Sequence, residues 1–134
     1  MQITRETDYA IRCVLHLSQD PDKVIMVDTI ARDKKIPKSF LAKILQKLSK
    51  AGIVKSFRGV KGGYQLDKHP SEISLLNLIE SIEGPVLMNE CAMNKKFCDM
   101  SEFCAVHPVW IKIRKVVEGA LSDYNLETLM TNKK

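Results

Sequence analysis

Three of the chain's four cysteines and one of its three histidines fall within seventeen residues: Cys91-Ala-Met-Asn-Lys-Lys-Phe-Cys98-Asp-Met-Ser-Glu-Phe-Cys104-Ala-Val-His107, a C-x6-C-x5-C-x2-H spacing. Thiolates are soft ligands, and three of them on a stretch without hydrophobic periodicity can wrap an iron–sulfur cluster or zinc. Structural zinc sites usually place two ligands in a tight knuckle two to four residues apart, which this segment lacks. The wide spacing therefore favours a cluster, whose irons occupy a larger volume. Cluster-free redox thiols and coincidental clustering are the alternatives. An odd local count in an expected cytosolic chain argues against disulfides. Cys13 stands apart, on the apolar face of a helix, and reads as a small core residue.

A second chemistry is electrostatic. The net charge of +5 divides unevenly: residues 1–68 hold 14 Lys/Arg against 7 Asp/Glu, and residues 69–134 hold 7 against 9. Ten basic side chains (Arg32, Lys34, Lys35, Lys38, Lys43, Lys47, Lys50, Lys55, Arg58 and Lys61) crowd residues 32–61, with Asp33 the one acid among them. Such a density repels itself unless an anion is a working partner. A solvated basic surface is the competing explanation, and the elements carrying the charges decide between the two.

The spacing of Tyr9, Ala10, Cys13, Val14 and Leu17 predicts a first helix over about Thr4 to Ser18. Val24 to Val27 is a brief strand or an extended connector. Val27 to Lys35 predicts a short helix capped by Asp28 with Ile30 and Ala31 inward, and Ile36-Pro37 interrupts it. Pro37 suits the first turn of a longer helix to about Ala51, burying Phe40, Leu41, Ile44, Leu45 and Leu48 and stopped by Gly52. Lys43, Lys47 and Lys50 line another face. Two helices across a tight turn, the second basic outside, describe a helix-turn-helix. Ile53–Arg58 and Tyr64–Leu66 then predict two short strands around Gly59-Val-Lys-Gly-Gly63, a wing with Arg58 at its base and Lys61 at its tip. The helix can enter a major groove while the wing reaches phosphates or the minor groove, so the expected partner is double-stranded DNA.

After the wing, Ser74 can cap a helix that runs to Gly84-Pro85. Periodicity disappears until Pro108, where a helix to about Tyr124 begins. Val106, Trp110, Ile113, Val117, Ala120 and Tyr124 step by 4-3-4-3-4, a heptad-like seam suited to a homodimer. Core packing is the competing use of that seam, and Val109, Ile111, Val116 and Leu121 add apolar surface outside it. The expected fold class is mainly α with a small β wing. It comprises a winged helix-turn-helix domain over 1–84, a cysteine-rich sensor loop over 85–105, and a dimerisation helix and tail over 106–134.

No stretch approaches the ~18 apolar residues of a membrane span, and Met1 to Asp8 is no secretory signal, so no membrane contact and a cytoplasmic location are expected. No nucleophile elbow or dinucleotide fingerprint is present, and the Gly59–Gly63 segment lacks the lysine and hydroxyl of a phosphate-cradling loop. An enzyme is not expected.

The chain resembles the IscR/NsrR-type family of bacterial winged-helix regulators across essentially its whole length. The resemblance rests on Ile3-Thr-x-x-Thr-Asp8-Tyr-Ala-Ile-Arg12, Ile36-Pro-x-Ser-Phe-Leu41 with Ile44-Leu45, and Leu48-x-x-Ala-Gly-Ile-Val54. It rests further on Ser56-x-Arg58-Gly-x-x-Gly-Gly-Tyr64-x-Leu66, the three-cysteine loop and Leu126-Glu-Thr-Leu129. It implies a homodimer pairing through the long C-terminal helices at Trp110, Ile113, Val117 and Ala120. It also implies promoter binding, usually as a repressor, through Lys38, Ser39, Lys43, Lys47, Arg58 and Lys61. An iron–sulfur cluster on Cys91, Cys98 and Cys104 is the implied cofactor. His107 matches the fourth ligand of a 2Fe–2S site in the IscR branch, and Asp8 matches that of a 4Fe–4S site, supplied by the partner subunit, in the NsrR branch. The x6 gap between the first two cysteines departs from the common x5. A cluster-free regulator of the same fold, responding through thiol oxidation, zinc or a small ligand, is the alternative.

Overall fold

The computed structural model describes residues 2–86 and 104–131. In chain order it places α1 (Arg5–Ser18), α2 (Val27–Lys34), α3 (Lys38–Lys50), β1 (Val54–Phe57), β2 (Gly63–Leu66), a 3-10 turn (Pro70–Glu72), α4 (Leu75–Glu83), α5 (His107–Ser122) and α6 (Leu126–Thr131). The two strands pair antiparallel, Val54 opposite Leu66 and Phe57 opposite Gly63. The molecule is thus mainly helical with a two-stranded wing.

Local chemistry sets the boundaries. The Thr4 hydroxyl accepts from the Thr7 amide at 3.2 Å and opens α1. Lys35 ends α2 in the left-handed region at φ 55°, and Gly52 (φ 75°) turns the chain out of α3. Ser74 and Asn77 form a reciprocal capping box on α4. Ala10, Cys13, Val14 and Leu17 of α1 meet Ile30 of α2, four residues of α3 and Leu78 and Ile82 of α4 in one core. Each large side chain buried there contributes about 1.5–3 kcal/mol relative to exposure.

Two local expectations change, one open alternative is decided and one element is added. Asp28 is not the α2 cap: Met26 holds that position without a side-chain bond, and the Asp28 carboxylate instead meets Lys38 at 2.5 Å. Phe40 is 43% exposed, its ring edge-on to Tyr9 at 5.7 Å, because it lies on the flank of α3 rather than on the row facing the core. The Val24–Val27 segment makes a strand-like bridge: Ile25 and Tyr64 exchange both backbone bonds at 2.8 and 2.9 Å. Gly63 permits this approach, since a Cβ there would overlap the Ile25 carbonyl. Finally, α6 forms beyond the long helix, and Leu126 is fully buried in the same core as α1. The Leu126 amide donates to the Ile73 carbonyl at 3.0 Å, fastening the C-terminal segment against the 3-10 turn and the start of α4.

Candidate nucleic-acid interface and sensor loop

At about 100° per residue, the buried residues Leu41, Ile44, Leu45 and Leu48 occupy one side of α3. Ser39, Lys43, Gln46 and Lys50 lie on the opposite side, with Ala42 flanking them, and all five are exposed. Of the ten basic residues between 32 and 61, four are ion-paired: Arg32, Lys38, Lys47 and Lys55. The other six (Lys34, Lys35, Lys43, Lys50, Arg58 and Lys61) have no ion-pair partner among the described residues. The wing projects beyond the core on its buried pair Val54 and Leu66, and Val60 at its tip is 95% exposed. Gly59, at φ 106°, accepts from the Gly62 amide at 3.0 Å to close the tip.

Two of the sequence-predicted DNA contacts are engaged within the fold. Lys38 meets Asp28, but both side chains are about two-thirds exposed, and such surface pairs contribute only about 0–1 kcal/mol. Lys47, still 42% exposed, reaches along the helix flank: its ammonium donates to the Glu6 carboxylate of α1 at 2.8 Å and to the Ile82 carbonyl of α4 at 3.5 Å. It therefore joins three helices. The buried Thr7 hydroxyl adds a second tie, donating to Glu83 at 2.5 Å. The lysine spacing in sequence gave no hint that Lys47 would differ from Lys43, because Glu6 lies 41 positions away. Gln46, absent from the sequence-predicted set, lies on the same exposed side at i+3 from Lys43, beside Lys50, which the sequence already places there at i+7.

Cys91 and Cys98 lie outside the described residues. Cys104 is half-buried and precedes α5, where the His107 amide donates back to the Cys104 carbonyl at 3.3 Å. His107 is 5% exposed, and both its ring nitrogens are buried with no hydrogen-bond partner among the described residues. An imidazole is costly to bury without a partner, so the chemistry of this ring fits a ligand role. Among the described residues no three His, Cys, Asp or Glu side chains converge on a metal-sized site. Asp8 is half-exposed and bonded to Arg12 at 3.0 Å, with the guanidinium lying over the Tyr9 ring. Cys13 is in the core as expected, and burial pushes its thiol pKa up to about 12.

Along α5, Trp110, Ile113 and Val117 are half-buried and Ala120 is exposed. Outside the heptad seam, Val109 and Val116 are exposed at 47% and 64%, while Val106 and Tyr124 at the ends of the seam are exposed at 40% and 45%. The helix packs on α4, and its Val109–Val116 side has no cover among the described residues. No helix of the described residues is long and apolar enough to cross a membrane.

Comparison with known proteins places this architecture. Residues 3–132 match the Rrf2 family, described as "Iron-dependent Transcriptional regulator". The chain is 30% identical to the HTH-type transcriptional regulator NsrR of Halalkalibacterium halodurans, covering 99% of this chain and 92% of the relative. Among solved structures it is similar to CymR, the global cysteine regulator of B. subtilis, with a TM-score of 0.80 and 25% identity over 100% of this chain and 99% of that one. It shares its fold with IscR of T. potens, with a TM-score of 0.78, 23% identity and coverage of 100% and 89%. These relatives are regulators, not enzymes, and the helix-turn-helix, wing and long C-terminal helix found here are theirs as well. The chain belongs to the Rrf2 family of winged-helix transcriptional regulators.

Proposed function

We propose that the chain is a cytoplasmic homodimeric repressor whose grip on promoter DNA is tuned by an iron–sulfur cluster. Lys43 and Ser39 on α3 and Arg58 and Lys61 on the wing form its DNA surface, and Lys38 joins them when its exposed pair with Asp28 opens. Unpaired cations on the outer side of α3 and on the wing suit the phosphates on either side of a groove. Two copies joined through α5 (Trp110, Ile113, Val117 and Ala120, with Val109 and Val116) would present two recognition helices to successive half-sites.

One observation carries the sensor reading: a buried His107 imidazole with no partner among the described residues, three residues after half-buried Cys104. Cys91, Cys98 and Cys104 would supply thiolates and His107 the fourth ligand. Asp8, already bonded to Arg12, is the weaker candidate. A cluster bound there supplies an oxidisable, exchangeable centre. The chain's own residues transmit the loop's state. Residues 85–105 follow α4 in the chain, and Lys47 bonds the Ile82 carbonyl near the end of α4 while standing on the recognition helix. A displaced α4 end would thus reach α3 through Lys47 and Glu6.

Anaerobic purification with iron and sulfide analysis tests the reading directly. A coloured protein carrying iron and sulfide, lost in Cys98→Ala while the dimer persists, is the expected result. DNA affinity that differs between the cluster-bound form and Cys98→Ala completes it. The likeness to CymR supports a second reading, a cluster-free thiol- or small-ligand-responsive regulator. Colourless protein with full DNA binding would establish that alternative.

A further inference from the structure

We infer that Gln46 is a specificity-determining residue that reads an adenine in the major groove of each half-site, an inference that rests on the DNA-binding reading above. Gln46 lies on the line of α3 directly opposite the buried Leu41–Leu48 row, one turn from Lys43 on one side and from Lys50 on the other. It is exposed, and its amide has no hydrogen-bond partner among the described residues, so nothing in the fold employs it. Its neighbour Lys47 shows the contrast, being occupied by Glu6.

It is also the one amide side chain on the helix. A glutamine amide offers an acceptor and two donors side by side, the complement of adenine's N6 amino group and N7. Lys43 and Lys50 carry unpaired charge on the same line, one turn to either side, where they can hold phosphates at the two rims of a groove. Gln46 between them is then aimed at the base edges. Ala42, small and apolar on the flank, leaves room for a thymine methyl rather than adding a competing polar group. A half-site with an A·T pair under the second turn of α3 follows.

The test selects binding sites from a randomised duplex pool with the full chain and with Gln46→Ala, an exposed change to a stronger helix former. The wild type should enrich adenine at one position of each half-site, and Gln46→Ala should lose that preference while keeping the others. Replacing that adenine by 7-deazaadenine should weaken the wild type about 5- to 100-fold and leave Gln46→Ala unaffected. Identical base preferences in the two proteins overturn the inference. A uniform loss across sequences with a shallower salt dependence also overturns it, because that marks a phosphate contact. A wild type that enriches no sequence while the dimer is intact overturns the DNA-binding reading itself, and this assignment with it.

Discussion

Helices α3 and α5 carry similar apolar rows and meet opposite fates. In α3, Leu41, Ile44, Leu45 and Leu48 are each at most 1% exposed, enclosed by α1, α2 and α4. In α5 the one buried residue is His107, while Val109 and Val116 stand open at 47% and 64%. An amphipathic pattern states that a face will be covered but not by what. Three elements of the same chain close over α3, whereas α5 meets α4 on one side and leaves the other exposed, the side that the proposed dimer would cover.

The sharpest way to test the contrast is to truncate both faces. Leu45→Ala in α3 should lower stability by about 2–5 kcal/mol, independent of protein concentration, in denaturant titrations. Val116→Lys should leave the folded chain intact but weaken dimerisation by about 2–4 kcal/mol, seen as a rise in dissociation constant by sedimentation. If Val116→Lys dimerises as the wild type does, the open face of α5 serves something else. If Ile113→Lys is disruptive where Val116→Lys is not, the dimer follows the heptad seam instead.

Within α3 the same comparison separates Lys43 from Lys47. Lys43→Ala or Arg58→Ala should weaken operator binding and lower the salt slope by about 1 for a phosphate contact, or cost about 1–3 kcal/mol for a base contact. Lys47→Met should leave the salt slope unchanged and cost at most about 1 kcal/mol of stability, since its pair with Glu6 is partly exposed. An equal loss of slope in Lys43→Ala and Lys47→Met would mean that the Glu6 contact opens on DNA.

The smallest effect lies at His16, on the far side of α1. Its ring nitrogens are buried without a hydrogen bond, Asp33 stands 3.6 Å away, and burial lowers its pKa from 6.5. The folded state therefore prefers the neutral ring, while the unfolded chain takes up a proton near pH 6.5. The stability that depends on a neutral His16 is present above that pH and lost as pH falls through it. His16→Gln should flatten this part of the stability profile between pH 7 and 5 in parallel denaturant titrations.

The helix-turn-helix and wing were legible in the chain because local rules write them. Apolar spacing marks α1 and α3, Pro37 and Gly52 bound the recognition helix, and Gly59 and Gly63 mark the wing's turns. Capping by Ser74 was equally readable. Phe40 was misplaced because its spacing fits both the buried row and its flank, and only the position of Tyr9 decides between them. Helix α6 escaped because six residues carry too little periodicity, and its stability comes from burying Leu126 against a core built elsewhere.

Sequence alone determined which residues could do chemistry: a basic helix and wing, three clustered cysteines, and a histidine beside them. Tertiary structure decided which of them are free to act. Glu6, distant in sequence, withdraws Lys47 from the outer face, whereas Lys43 and Gln46 remain open on it. Packing at the start of α5 leaves the His107 ring buried and without a partner among the described residues. Helical spacing and charge are properties of neighbours along the chain, whereas pairing and burial depend on residues that only folding brings together.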